Sequence, residues 1–141
     1  MEIRTDIRIR EYEPEDYPVL KDWWQRHDAE RLHEDMIPKS SVIVEDKNGP
    51  AGFAGLLLSN CNQVAFCLGL VVRPGLNVSE SQAIHETLQD GMDIIMRSGG
   101  HTVLLGTVTG KGMARGAQRM GFLVMSKPAF HIARIVKPET D

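Results

Sequence analysis

The residues of this chain best placed to do chemistry follow an apolar run. Phe66-Cys67-Leu68-Gly69-Leu70-Val71-Val72 ends in Arg73-Pro74-Gly75, and Asn77-Val78-Ser79-Glu80-Ser81-Gln82 comes next. Ser79-Glu80-Ser81-Gln82 has the Ser-x-x-Gln form of a capping box, which predicts a helix starting near Ser79. The first N–H groups of a helix lack partners within it and lie at the positive end of its dipole. That start is therefore a candidate anion site, to which the Ser79 and Ser81 hydroxyls would add donors.

Other reactive side chains are less organised. Lys111, Arg115 and Arg119 recur every four residues and share one helix face, either a solvated polar surface or a contact to phosphates or an acidic partner. The five histidines, at 27, 33, 85, 101 and 131, include no i,i+4 pair beside an acid, so no metal site is expected. Cys61 and Cys67 fit neither a CxxC redox motif nor a zinc ribbon and read as reduced, partly buried thiols.

The elements that must position these residues are those of an ordinary globular domain. With 141 residues, 42% hydrophobic and 25% charged, the chain is expected to form one domain spanning 1–141. No apolar run approaches the ~20 residues that span a bilayer, and the opening MEIRTDIRIR has no signal-peptide core, so a cytoplasmic location is the expectation. The net charge of −3 is unevenly spread: 13 of 19 acidic residues lie in 1–60, whereas 94–137 carries seven Lys or Arg and no acid. The C-terminal third would present a positive field to phosphates, but the acidic whole argues against nucleic acid as the main partner.

Periodicity supplies the order of elements. Ile3 to Tyr12 reads as a strand, and Pro14-Glu15-Asp16 opens a helix with Tyr17, Leu20, Trp24 and His27 on one face. Trp23 and Trp24 read as its anchors to a sheet, and Ala29 to Met36 as a short second helix. Ser41–Glu45 and Gly52–Ser59 form a hairpin around Lys47-Asn48-Gly49-Pro50, and Val64–Val72 is a central strand. Ile84, Leu88, Met92 and Ile95 make the apolar stripe of the helix from Ser79, which Gly99-Gly100 ends. A strand from His101 to Val108, parallel to Val64–Val72, a helix from Lys111 to Met120, and strands at Phe122–Met125 and Ala129–Val136 complete the chain. The fold class is mixed α/β (α+β), a central sheet of six to seven strands flanked by about four helices.

Taken together, Ile7-Arg8-Ile9-Arg10, Pro14-Glu15-Asp16, Leu70-Val71-Val72-Arg73-Pro74 and Met120-Gly121-Phe122 resemble, in order and spacing, the GNAT superfamily of N-acetyltransferases. The likeness covers nearly the whole chain. It implies acetyl-CoA in a gap between the fourth and fifth strands, and an amine of a small molecule, peptide or protein as acceptor. Backbone groups of Leu70, Val71 and Val72 would line the pantetheine arm, with Leu70 and Val72 bonding it. The diphosphate would lie on the loop of Asn77, Ser79, Glu80, Ser81 and Gln82.

The loop departs from the family pattern. Arg/Gln-x-x-Gly-x-Gly/Ala maps onto Asn77, Glu80 and Gln82, so side chains replace both glycines and one of them is a carboxylate. The family's leaving-group tyrosine falls near Ala117, and Val64–Val72 offers no ionisable group except Cys67. Glu45, His101 or an acid of the first helices are then the candidate bases. Two functions stay open: a divergent acetyltransferase, or a non-catalytic partner-binding protein built on the same frame.

Overall fold

The computed structural model describes residues 6–29, 31–107, 110–119, 121–123 and 134, which fall into two compact units, Met1–Thr107 and Val108–Asp141. In the first unit, strands β1 (Arg8–Glu11), β2 (Val42–Asp46), β3 (Gly49–Leu58), β4 (Val64–Val72) and β5 (Val103–Gly106) form one sheet in that order. Neighbours from β1 to β4 are antiparallel, whereas β4 and β5 are parallel, as the sequence predicts. Parallel strands need a long crossover, and the helix α2 (Val78–Ser98) provides it.

Because side chains alternate across a strand, each face of the sheet acquires its own core. Val42, Val44, Leu56 and Ala65 pack with Ile84, Leu88, Met92 and Met96 of α2. On the other face Ile43, Phe53 and Val71 pack with Leu20, Trp23 and Trp24 of α1 (Tyr17–Arg26). Trp24 and Phe53 meet edge to face with centroids 5.8 Å apart. Arg10 fastens the entry to α1, hydrogen-bonding Asp16 Oδ1 at 2.7 Å and Oδ2 at 2.9 Å while its Nε meets Glu45 at 2.9 Å.

The described residues hold five strands and three α-helices, fewer than the six to seven and about four expected. Two causes account for this. The predicted helix at 29–36 is only a 3₁₀ turn, Glu34–Met36. Asp28, at φ +51, ends α1 in a left-handed cap with Ala29 N–H on Trp24 O, and Tyr17 Oη then captures the Leu32 carbonyl at 2.9 Å. The chain is thereby drawn out instead of coiled. The predicted closing strands at 122–125 and 129–136 lie largely outside the described residues, as does the start of the first strand.

The second unit contributes α3 (Gly110–Arg119). Its end explains the Gly-Phe pair: Gly121 takes φ +92, and Phe122 N–H reaches back to Ala117 O at 3.0 Å. Arg115 and Arg119 are exposed there, whereas the side chain of Lys111 lies outside the described residues. Among the described residues no helix is long and apolar enough to cross a membrane.

Candidate functional site

The sheet parts where β4 outruns β5. Pairing runs from Val64–Val103 to Cys67–Gly106 and stops; Leu68 to Val72 have no β5 partner among the described residues. On its other side β4 stays with β3, but Gly55 faces Leu68 while Phe53 faces Val71. Gly69 and Leu70 thus oppose the single residue Ala54, which makes a β-bulge at the parting point.

Two glycines make that bulge possible. Gly69 takes φ +63, a conformation side chains disfavour, and a Cβ there would lie 2.8 Å from Leu32 Cδ1. Across the pair, a Cβ on Gly55 would lie 2.5 Å from the Leu68 carbonyl oxygen. A glycine inside an apolar strand pattern is the one signal in the sequence that marks such a bulge.

Side chains of α1 and its cap hold the parted segment. Trp24 Nε1–H donates to Gly69 O at 2.9 Å, and His27 Nε2–H donates to Val72 O at 2.8 Å. Arg73 N–H binds Ala51 O on β3 at 2.8 Å. Successive peptide groups point to opposite sides of a strand, so the N–H and C=O of Val72 face the side that β5 leaves uncovered. Leu70 and Val72 pack towards α2, and Val71 is buried towards α1. The roles of Trp24 and His27 rest on partners 45 residues away in sequence, beyond the reach of spacing arguments.

At the start of α2 the cap is Asn77, two residues before the expected Ser79. Asn77 Oδ1 accepts Glu80 N–H at 2.8 Å, and Glu80 Oε1 accepts Asn77 N–H at 3.1 Å. This is a complete capping box, so two of the amides proposed for an anion are already bonded to the chain's own side chains. Ser79 is exposed in the first turn. Ser81 and Gln82 turn along the helix: Ser81 Oγ is 3.4 Å from His85 Nδ1, and Gln82 Nε2 donates to Glu86 at 3.2 Å.

The loop between β4 and α2 is set by an ion pair that sequence reasoning missed. Arg73 Nη1 donates to Asp46 Oδ1 and to Pro50 O, both at 3.0 Å, while Nη2 meets Asp46 Oδ2. Arg73 holds the Asp46 carboxyl below the usual carboxylate range, by more than its partial burial raises it. Beside the pair lies a cavity of about 350 Å³ whose wall includes Asp6, Asp46, Lys47, Asn77 and Glu80. Among the described residues three carboxylates and one lysine line it.

The candidate bases of the sequence lie elsewhere. Glu45 is on β2, two strands from β4, and is engaged by Arg10. His101 is buried before β5 with Nε2–H on Ser59 O at 3.0 Å, beside the β3–β4 turn. That places it roughly 20 Å from the bulge at strand rise. Of the acids in the first helices, Asp16 is held by Arg10 and Asp22 by Arg26 at 2.9 Å. Cys67 sits at the parting point, but desolvation pushes its thiol up to about 11, the wrong direction for a nucleophile. No group of three His, Cys, Asp or Glu among the described residues is placed to hold a metal.

This architecture matches solved acetyltransferases. Ard1 from Thermoplasma volcanium aligns with a TM-score of 0.71 at 16% identity, covering 86% of each chain. N-acetylglutamate synthase from Neisseria gonorrhoeae, complexed with coenzyme A and L-arginine, aligns with a TM-score of 0.65 at 21% identity, over 80% of this chain but 26% of its own. An aminoglycoside acetyltransferase from an uncultured soil metagenomic sample gives 0.66 at 13% identity, covering 96% of this chain and all (100%) of its own. The chain therefore has the GNAT fold. No protein-family model matches its sequence, and no curated protein does either.

Proposed function

We propose that the chain is a cytoplasmic N-acyltransferase, a single domain over 1–141 that moves an acetyl group from a pantetheine thioester such as acetyl-CoA to an amine. In that reaction the amine nitrogen bonds to the thioester carbon, the carbon–sulfur bond breaks, and the amine's proton ends on the released thiol. One observation carries the proposal: among the described residues Leu68 to Val72 run on without a β5 partner, with a bulge at Gly69, and the Val72 amide faces away from β3. Such an edge offers the Val72 amide as a donor to a ligand carrying amides, while His27 holds the Val72 carbonyl in place. The fold-level likeness to acetyltransferases, one of them complexed with coenzyme A, supports the same reading. Direct attack needs mainly positioning and a polarised carbonyl, so the chemistry does not require a dedicated acid at Ala117.

A second reading, a partner-binding protein that has given up the donor, is favoured by the closed Asn77–Glu80 box. Thermal melting separates the two. With either acetyl-CoA or acetyl-pantetheine at a hundred times its Kd, the first reading expects about 2.7 kcal/mol of stabilisation. The melting temperature should then rise by several degrees. Unchanged melting with both thioesters at millimolar concentration would retire the first.

A further inference from the structure

Resting on the acyltransferase reading, we infer that this site recognises its donor by the pantetheine thioester and not by the nucleotide: its preferred substrate class is an acyl-pantetheine thioester without a nucleoside diphosphate. The two halves of the candidate site differ in kind. Along β4 the parted edge is backbone, with the Val72 amide facing away from β3, His27 on the Val72 carbonyl, and Trp24 and Leu32 side-chain atoms closest to the Gly69 bulge. At the start of α2, the place for a diphosphate is taken by a negative group. The Glu80 carboxylate bonds the Asn77 amide, and Asn77 in turn bonds the Glu80 amide.

The surroundings offset that carboxylate only in part. Arg73 feels the Glu80 charge, but its guanidinium is committed to three hydrogen bonds with Asp46 and Pro50. Asp6 and Asp46 line the adjoining cavity with Glu80, and Lys47 is the one cation among the described residues of its wall. A dianion brought to this mouth would meet like charge and would have to break the capping box to reach the Asn77 and Glu80 amides. Acetyl-CoA thus fits the edge with its arm and disagrees with the loop at its diphosphate.

The test is calorimetric titration of the full chain with acetyl-pantetheine and with acetyl-CoA, at low and high salt. Acetyl-CoA should bind no tighter than acetyl-pantetheine, and added salt should improve its relative affinity by screening the repulsion. Glu80→Gln keeps the capping bond but removes the charge; it should tighten acetyl-CoA by roughly threefold or more and leave acetyl-pantetheine unchanged. Tenfold tighter binding of acetyl-CoA by the native chain, or a Glu80→Gln variant with unaltered acetyl-CoA affinity, would overturn the inference alone. Failure of both thioesters to bind would instead overturn the acyltransferase reading beneath it. A carrier protein charged with the same acetylated arm distinguishes the donor's source: transfer faster than from free acetyl-pantetheine assigns a carrier-bound donor, and equal or slower transfer a free one.

Discussion

The indole N–H of Trp24 is bonded to the carbonyl of Gly69 at 2.9 Å, so a wholly buried side chain of α1 fixes the backbone of the β4 bulge. The bond ties two elements far apart in sequence at the point where the sheet parts. Trp24 also carries the aromatic core of that face through Phe53 and Tyr17, which both meet it edge to face. Packing and site geometry therefore share one residue.

Trp24→Phe separates those roles, because it keeps a ring in the core and deletes the donor. The Gly69 carbonyl would be left without its partner, costing about 1–3 kcal/mol in urea denaturation. Acetyl-pantetheine affinity should fall as well, measured well below the variant's melting point. Retained affinity alongside lost stability would show that the bond serves the core alone.

Gly55→Ala tests the other side of the bulge. The new Cβ would lie 2.5 Å from the Leu68 carbonyl oxygen, a backbone atom with little freedom to withdraw. Overpacking of this kind should destabilise the chain by about 2 kcal/mol or more. A melting temperature equal to that of the native protein would mean that β3 and β4 are not held this closely.

The Asp46–Arg73 pair gives a prediction in pH. Hydrogen bonding from Arg73 lowers the Asp46 pKa in the fold, so its stabilisation is complete above the unfolded value of about 3.9 and is lost as pH falls through the folded value. Asp16 acts in the same sense: burial raises its pKa, but Arg10 and the Glu13 amide together lower it further. Stability should thus be nearly flat from pH 7 to about 5 and fall below about 4. Asp46→Asn should lower the plateau by about 1–2 kcal/mol and shorten the acid limb, as followed by urea denaturation at pH 7 and 3. An unchanged acid limb would show that the pair is too solvated to matter.

Much of the frame is legible in the sequence because it rests on period. Ile84, Leu88 and Met92 fall on one face of α2 whatever surrounds them, and the apolar run Val64–Val72 forms the expected strand, although Phe66 is exposed and only Ala65 and Val71 are buried in it. The start of α2 was harder to read, since Asn77-x-x-Glu80 and Ser79-x-x-Gln82 are overlapping boxes of equal quality. Packing of Leu76 against the core, just before the cap, accompanies the choice of the first. The site itself depends on Trp24 with Gly69 and Asp46 with Arg73, partners 45 and 27 residues apart. No local pattern encodes such pairs; only the register of β3 against β4 and the docking of α1 bring them together.

The bulge at Gly69 also bears on how the chain survives in a crowded solution. A straight strand with an unfilled edge is a template on which other chains can stack into aggregates. Here the kink at Gly69 breaks the repeat of N–H and C=O groups, while Trp24 and His27 occupy two of the carbonyls a foreign strand would use. The edge is left readable to a short, bent molecule and poorly matched to another polypeptide.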